Sequence, residues 1–380
     1  MPTANGRRFA PERDEGMADQ PELVQDAEAV ERAFGADNRN RLIDRYFQAP
    51  GREDATPATA WRHVYRLLLW SDPTTGLAHC YESDKCQPGK AWYGRSLAFH
   101  DWVCKSLDAA PAALAHEIDW LFLKACTDLA AVMLRREARL TEVAGRQRQG
   151  FEGRGFPEPG ADPEMASIVR DAIVPYLADE PPAEVWHAVT QKVRQYLAVQ
   201  NKRKNLVGEG FEDVLAQTVR RACQVPEDQI FTRALLYQIP GFNRARQGGK
   251  ENKVDLAIVR PSMRTIVTAK WSVRADREKQ FPAEYEEYCN AESLNQKFQY
   301  VFVTNEFDPA RLMRACEALF RNNLMFDHVV HINTDGIRAA YGELPDGDGP
   351  ARDSRRRVIQ HIETGRLISL ERWLAALSGQ

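Results

Sequence analysis

Two neighbouring segments of the chain carry an acid and a cation at the spacing of a hydrolytic metal site. "KVDLAIVR" sets Asp255 among apolar residues, and "MRTIVTAKWSV" brings Lys270 soon after. Both segments have the pattern of strands, and an unpaired carboxylate would be costly among apolar neighbours. Cleavage of a phosphodiester requires carboxylates that hold a divalent metal and a cation beside the attacking water. The two strands therefore predict a site in which Asp255 binds metal and Lys270 orients water or stabilises charge on phosphate.

A second carboxylate is expected here, because Mg²⁺ is held by one or two carboxylates together with waters and phosphate oxygens. The position two residues before Lys270, on the same face of the strand, is Thr268. The next helical segment supplies Glu284, with two further glutamates close by. A helix packed beside the strand would return a carboxylate to the place that Thr268 leaves. Glu284 is therefore a candidate for the second metal ligand beside Asp255.

A short charged segment follows Lys270. In "KWSVRADR", Arg274 and Arg277 flank Asp276. The strand, the acid displaced to the helix and this R-x-D-R element together resemble the CCGG-recognising type II restriction endonucleases of the PD-(D/E)xK superfamily. The resemblance covers about residues 205 to 305. The chain departs from the family at Val254, where a proline is usual, and its first 200 residues carry no matching motif.

The resemblance implies an α/β fold with a PD-(D/E)xK nuclease core, in which helices flank a mixed central sheet. It implies Mg²⁺-dependent double-strand cleavage of DNA at a palindromic site containing CCGG. The cut would precede the first cytosine and leave 5′ overhangs with 5′-phosphate ends. A palindrome read by one chain per half-site requires a homodimer or a higher homo-oligomer. The family further implies a bacterial, cytoplasmic enzyme with a cognate DNA methyltransferase as its functional partner.

The resemblance also assigns roles in DNA binding. Arg274, Asp276 and Arg277 would read bases, because arginine pairs with guanine O6 and N7 while aspartate accepts from cytosine N4. The alternative for this segment is a solvated, salt-bridged helix start. Phosphate contacts are predicted for the glycine-rich loop "GFNRARQGGKENK", whose basic residues are Arg244, Arg246 and Lys250.

One further acid is a candidate for the catalytic site. Nucleases of this fold often carry a helix glutamate near the metal, and Glu212 in "GEGFEDVL" matches that pattern. It lies at the margin of an apolar helix face that includes Phe211 and Leu215. Glu209 is the rival residue, and a surface acid or a helix cap is the alternative interpretation for either.

The spacing of apolar residues divides the chain into a first part that is helical and a second part in which strands and helices alternate. Helices are predicted in "ELVQDAEAVERAFG", "NRNRLIDRYFQ" and "TAWRHVYRLLLW", followed by one long helix, "PAALAHEIDWLFLKACTDLAAVMLRREARL". Residues 144–162 hold five glycines and two prolines and have the composition of a linker. We therefore expect a helical N-terminal domain at residues 1–160, for DNA-flank contact or oligomerisation, and a catalytic and DNA-recognition domain at residues 161–380.

Within the second part, two helices precede a third, "GEGFEDVLAQTVRRACQV". Strands and helices then alternate, with further strands in "FQYVFVTNEF" and "MFDHVVHINT". Such alternation is typical of a central sheet with helices on both faces.

Composition limits the class of protein. A hydrophobic content of 43% with 28% charged residues is that of a globular chain. The net charge is -3, so DNA must be met by a local basic patch. No apolar run approaches the roughly 18 residues of a membrane span, and the N-terminal residues lack a secretory signal. We therefore expect a cytoplasmic protein with no membrane partner.

Seven cysteines fit a reducing compartment better than a disulfide framework. Four residues, together with the neighbouring His79, approach a zinc pattern but lack tight C-x2-C pairs; they are Cys80, Cys86, His100 and Cys104. Small buried thiols are the other interpretation, and both stay open at this point.

Two alternatives to a restriction enzyme also remain. A repair or junction nuclease of the same fold would share Asp255 and Lys270 without needing R-x-D-R. A sequence-specific DNA-binding protein without catalysis is suggested by Thr268 in the acid position.

Overall fold

The computed structural model describes residues 21–50, 52, 55–80, 84–156, 162–244, 253–273, 278–343 and 350–379. The chain is α/β, as the alternation of elements predicts, with a mixed six-stranded central sheet and many helices. The helices are α1 Pro21–Phe34, α2 Ala36–Gln48, α3 Ala60–Leu68, α4 Tyr93–Leu107, α5 Leu114–Glu117, α6 Trp120–Arg148, α7 Pro163–Ile173, α8 Ala183–Ala222, α9 Phe281–Ala291, α10 Pro309–Glu317, α11 Thr334–Tyr341, α12 Pro350–Glu363 and α13 Leu370–Ser378. The strands are β1 Ile230–Leu235, β2 Lys253–Val259, β3 Arg264–Lys270, β4 Phe298–Thr304, β5 Leu319–Phe320, β6 Asn323–Leu324, β7 His328–His331 and β8 Leu367–Ser369.

The central sheet has the strand order β1-β2-β3-β4-β7-β8, and β5 and β6 form a separate hairpin. The first three strands are antiparallel neighbours, whereas β3, β4, β7 and β8 run parallel. Strand β3 lies in the middle and is buried along its length except at its last residue, Lys270. A strand with both faces covered reads as a nearly continuous apolar run, which is the pattern of "TIVTA". The one partly exposed end of β3, at Lys270, is therefore where a strand residue can contact a ligand.

The structure differs from the predicted helices in two places. The long helix predicted from Pro111 is broken, because Ile118 is extended and Asp119 has φ 65 before α6 begins at Trp120. Conversely, the segments predicted as separate helices before and after Gly208 form one helix, α8. Glycine lowers helix propensity, but tertiary packing overrides it. At Gly210 a Cβ atom would come within 3.3 Å of the Leu121 side chain, so the glycine permits a close approach.

The chain divides into two compact units whose limits do not coincide with a break at residue 160. One unit comprises the described residues within 1–38 and 124–204, and the other comprises 39–123 together with 205–380. The reason is that helices from the first part of the chain pack on the sheet. Tyr65 donates to the side chain of Asn305 at 3.0 Å, and the Phe99 and Phe307 rings lie 4.7 Å apart.

Helix α11 approaches α4 closely in this sheet-containing unit. A Cβ atom at Gly336 would lie 2.9 Å from the Trp102 ring and 3.3 Å from Phe99. Residues 39–123 are thus part of the same core as the sheet, rather than of a separate helical domain.

The other unit is helical and has its own apolar cluster. Val30, Ala33 and Leu129 are buried there, with further apolar side chains packed against them. The Asp26 carboxylate is paired with Arg139 at 2.9 Å. Among the helices of the described chain, none is both long enough and apolar enough to cross a bilayer.

Candidate active site

The carboxylate of Asp255 lies against the end of β3. Its Oδ2 atom accepts from Thr268 Oγ1 at 3.2 Å, from the Ala269 amide at 2.8 Å and from Lys270 Nζ at 2.6 Å. Strands β2 and β3 are antiparallel neighbours, so three consecutive residues of one strand converge on a single side chain of the other. Within the described residues, all three donors use Oδ2 and none reaches Oδ1. The second oxygen is therefore the one that can serve another ligand.

Lys270 stays charged in this position. Burial alone would lower its pKa, but the Asp255 charge and hydrogen bond raise it above the usual value. The charges of Glu212 and Glu284 raise the pKa of Lys270 further. Three carboxylates from three separate elements, β2, α8 and α9, thus act on one ammonium group. The side chain is still 30% exposed, so the ammonium can reach a bound phosphate.

Glu212 projects from α8 into this cluster and is almost buried. Burial and then the Asp255 charge raise the pKa of Glu212 to about 7, while Lys270 and Arg233 oppose the rise. Arg233 Nη1 donates to Glu212 Oε2 at 3.2 Å. The carboxyl group therefore changes its charge near neutral pH. Its rival Glu209 instead pairs with Arg39 at 2.8 Å and is largely exposed.

Glu284 lies on α9, one turn after the helix begins at Phe281. Its charge contributes to the raised pKa values of Tyr288 and Tyr300, whose main cause is burial. The Asp255 charge acts on the same two phenols. The charges of Glu284 and Asp255 therefore act on the same three groups, Lys270, Tyr288 and Tyr300.

The two other glutamates of α9 have different surroundings. Glu286 pairs with Arg321 at 3.3 Å, and Glu287 contributes to the raised pKa of Tyr288. Both line a cavity of about 760 Å³ whose wall also includes Asn243 and Arg244. Arg244 is exposed, and its guanidinium carbon lies 4.9 Å from the centre of the Tyr237 ring. This predicted phosphate contact thus lies on the rim of an open, polar cavity beside α9.

Most of the other predicted DNA contacts fall outside the described residues. These are Arg246, Lys250, Arg274, Asp276 and Arg277. The residues on either side of 274–277 are each held by a charged side chain, one by Glu306 and the other by Arg314. The Val273 amide donates to Glu306 at 2.8 Å, and Glu278 forms a bidentate ion pair with Arg314 at 2.7 and 2.8 Å.

The buried Glu306 is a structural acid that sequence patterns did not indicate. Its carboxylate accepts from the amides of Val273, Phe307 and Asp308 and pairs with Arg311 at 3.2 Å. Burial raises its pKa despite these bonds. Both anchors of the segment after Lys270 thus involve arginines of α10.

The cysteine and histidine group near residue 80 does not form a ligand shell. Cys80 Sγ lies 3.5 Å from Ser96 Oγ, and His100 Nδ1 accepts from the Ala78 amide at 2.8 Å. Burial raises the pKa of the Cys80, Cys86 and Cys104 thiols, which disfavours the thiolate that zinc requires. The described part of the chain contains no cluster of three or more metal-ligating side chains. Buried free thiols are therefore the interpretation that the geometry favours.

The carboxylate oxygens at this site nevertheless match the ligands that Mg²⁺ requires. This ion takes oxygen ligands and needs only one or two carboxylates, with waters and substrate oxygens completing the octahedron. Asp255 Oδ1 and the Glu284 carboxylate are such donors, and both side chains are partly accessible. The set contains no sulfur or imidazole ligand of the kind that softer metals select. The residues present fit a hard divalent cation.

No protein-family model matches this chain, and no curated protein matches it. The geometry of the site is therefore the main basis for interpreting its chemistry.

One residue of this site was missed at the level of sequence. Arg233 belongs to β1, whose sequence "IFTRAL" was not predicted as a strand. Its partners, Glu212 and Asp213, are 20 or more residues away along the chain. No local pattern relates an arginine to carboxylates at that distance.

Proposed function

We propose that this protein is a Mg²⁺-dependent type II restriction endonuclease with a PD-(D/E)xK core. The observation that carries the proposal is the 2.6 Å contact between Lys270 Nζ and Asp255 Oδ2, in a cluster that Glu212 and Glu284 also influence. A cation on one strand beside an acid on the next is the arrangement that phosphodiester hydrolysis needs. Pairs of groups with perturbed pKa values at an accessible site are also typical of catalytic centres.

Each residue has a distinct role in this proposal. Asp255 and Glu284 would hold Mg²⁺, which supplies a Lewis acid and lowers the pKa of a bound water. Lys270 would donate to the attacked phosphate and stabilise the charge that develops on its oxygens. Glu212, whose pKa of about 7 lies near the working pH, would accept or deliver a proton through water. The Tyr288 and Tyr300 phenols are held neutral by burial and would limit water at the back of the site.

The recognition part of the proposal rests on the sequence motif. Arg274, Asp276 and Arg277 would read the G·C pairs of CCGG, and Arg244, Arg246 and Lys250 would contact phosphates. The chain would act on double-stranded DNA as a homodimer or higher assembly, because each half-site of a palindrome needs one reader. A host that makes such an enzyme would need a methyltransferase of the same specificity.

Digestion of a sequenced plasmid in Mg²⁺ tests the proposal, with run-off sequencing of the ends. We expect cuts before the first cytosine of CCGG-containing sites, with 5′ overhangs and 5′ phosphates. Asp255→Asn is the matched control, because it keeps the side-chain shape and removes the metal-binding charge. Cuts that fall at branched junctions, or at sites without CCGG, would instead favour a repair or junction nuclease.

A second candidate is a sequence-specific DNA-binding protein without catalysis. The observation in its favour is that Thr268 occupies the acid position and donates to Asp255. Under this alternative, a CCGG duplex would bind in both Ca²⁺ and Mg²⁺ and remain intact in each. Binding in Ca²⁺ followed by cleavage in Mg²⁺ would exclude it.

A further inference from the structure

Arg233 has a backbone conformation that is unusual for a strand residue. Its φ is 51, in the left-handed region that residues with a Cβ atom seldom adopt. The neighbours on each side pair normally with β2, Thr232 with Leu256 and Ala234 with Val254. Arg233 falls between these pairs, at the level of Asp255. Strained residues of this kind persist only where their surroundings hold them, and they are concentrated at functional sites.

The side chain of Arg233 is held by residues in the C-terminal half of α8. Nη1 donates to Glu212 Oε2 at 3.2 Å and to the Glu209 carbonyl at 3.2 Å. Nη2 donates to Asp213 Oδ1. One guanidinium thus bridges two successive carboxylates and a main-chain oxygen of the same helix.

Asp213, which accepts from this guanidinium, is also paired with a second arginine. Its other oxygen, Oδ2, accepts from Arg39 Nε at 2.6 Å, and both side chains are almost completely buried. Arg39 Nη1 also pairs with Glu209. Because Arg39 already compensates the buried Asp213, a purely structural network would not require the strained Arg233 as well. The Glu212 carboxylate, by contrast, accepts from Arg233 Nη1.

Glu212 is also attracted by a second cation of the site. Lys270 carries a positive charge close enough to influence Glu212, and Lys270 is already bonded to Asp255. A Glu212 side chain without Arg233 would turn toward Lys270 or take up a proton. The first change would engage the Lys270 ammonium, and the second would remove the negative charge of Glu212 from the cluster.

We propose that Arg233 is a positioning residue, which β1 holds in a left-handed conformation so that its guanidinium keeps the Glu212 carboxylate in place beside Asp255 and Lys270. The inference rests on the proposed function, since it concerns the order of the same site. Arg233 acts through Glu212 and does not itself contact the reacting phosphate.

Substitution at residue 233 can separate the backbone from the side chain. Arg233→Asn removes the guanidinium and keeps a residue that tolerates positive φ. Arg233→Lys keeps a charge but loses the fork that spans two carboxylates. Arg321→Asn is the matched control, because Arg321 has φ 48, pairs with Glu286 at 3.3 Å and is 69% exposed.

The first readout is single-turnover cleavage of a CCGG duplex in Mg²⁺, together with duplex affinity in Ca²⁺. Arg233→Asn should slow cleavage about 10- to 100-fold, because small displacements of catalytic groups have effects of that size. Affinity should change less than about threefold, since the residue does not contact DNA in this proposal. Arg233→Lys should recover part of the rate, and Arg321→Asn should cleave normally.

A double-mutant cycle with Glu212→Gln tests whether Arg233 acts through Glu212. In the Glu212→Gln background, Arg233→Asn should cause no further loss, because the group that it positions is gone. Fully additive losses would overturn the proposal, as would wild-type cleavage by Arg233→Asn.

The second readout does not require a nuclease. It is ¹³C NMR titration of carboxyl-labelled full-length protein without metal, with Glu212→Gln used to assign the Glu212 signal. Arg233→Asn should raise the Glu212 pKa by about one unit, because an opposite charge and a hydrogen bond are removed, while Arg321→Asn should leave it unchanged. If the wild-type protein cuts no DNA, the proposed function fails, and the titration alone decides this inference. An unchanged Glu212 pKa in Arg233→Asn would overturn it in either case.

Discussion

Lys270 Nζ lies 2.6 Å from Asp255 Oδ2, at the one end of β3 that solvent reaches. This ion pair is intermediate in exposure, with 30% and 17% of the two side chains accessible. A pair at this depth keeps much of its electrostatic strength, and it can still exchange one partner for a substrate group. The relationship is therefore suited to a site that assembles fully only when metal and phosphate bind.

Removal of either member of the pair should abolish cleavage and leave specific DNA binding largely intact. Asp255→Asn removes the metal-binding charge, and Lys270→Ala removes the cation that stabilises the phosphate. We expect losses of at least about 100-fold in single-turnover rate, in line with the loss of one preorganised charge-stabilising group. The measurement is cleavage in Mg²⁺ beside competition binding in Ca²⁺. Wild-type rates in both variants would place the chain outside the nucleases.

Glu284→Ala should be as damaging as Asp255→Asn, because Thr268 offers no carboxylate in the usual acid position. The discriminating variant combines Glu284→Ala with Thr268→Glu. Thr268 is buried and its hydroxyl lies 3.2 Å from Asp255 Oδ2, so a carboxylate introduced there would lie beside the proposed metal ligand. Partial recovery of Mg²⁺-dependent cleavage over Glu284→Ala alone would support the displaced acid. Normal cleavage by Glu284→Ala would instead direct attention to Glu286 and Glu287.

The pairing of Asp255 with Lys270 shows what the sequence can predict. Both strands are largely apolar, and only a short turn at Pro261 and Ser262 separates them, so their antiparallel contact follows from local information. Strand β1 was not predicted, because its six residues are all only partly buried and one of them, Arg233, has a left-handed backbone conformation. A strand without a buried face has no period-2 signal.

Long-range pairings were beyond any local pattern. Arg39 meets Asp213 across 174 positions, and Tyr65 meets Asn305 across 240. These contacts join the helices of residues 39–123 to α8 and to the segment that follows β4, which a boundary at residue 160 does not anticipate. Composition marks where a chain can be flexible, but packing decides which segments share a core.

Cleavage should fall as the pH drops below about 7. The pKa of Glu212 is raised to about 7 by burial and by Asp255, so its carboxylate form is lost on the acid side of that value. If the ionised form is the active one, the single-turnover rate should decline by about tenfold per pH unit well below 7. The single-turnover rate of Glu212→Gln, measured over the same pH range, should be low and should not show this decline. An identical acid limb in the wild-type protein and Glu212→Gln would assign the titration to another group.

Two glycine substitutions test the packing of α4 on α11. Gly336→Ala places a Cβ atom 2.9 Å from the Trp102 ring, so it should destabilise the protein by about 1–3 kcal/mol through overpacking. Gly94→Ala is the control within α4, because nothing lies within 4 Å of its added Cβ atom. It should change the stability by less than about 1 kcal/mol, because Gly94 is only the second residue of the helix. Urea unfolding followed by tryptophan fluorescence measures both. Equal effects of the two substitutions would contradict the close approach of the helices.

The base-reading segment should respond differently from the phosphate contacts. Each bidentate arginine–guanine pair contributes about 1–3 kcal/mol of discrimination against a wrong base, so Arg274→Ala or Arg277→Ala should reduce the preference for CCGG by about ten- to a hundredfold or more. Asp276→Asn should also weaken it, because an amide nitrogen would meet the cytosine amino donor.

Arg244 provides the comparison, because its guanidinium is exposed beside the Tyr237 ring on the cavity next to α9. Arg244→Ala should weaken binding to all duplexes about equally and reduce the salt dependence by roughly one phosphate contact. The measurement is competition binding in Ca²⁺ across salt concentrations, with cognate and single-substituted duplexes. A uniform loss of affinity in Arg274→Ala, with the preference for CCGG retained, would assign that arginine to a phosphate and remove the most specific support for a restriction enzyme.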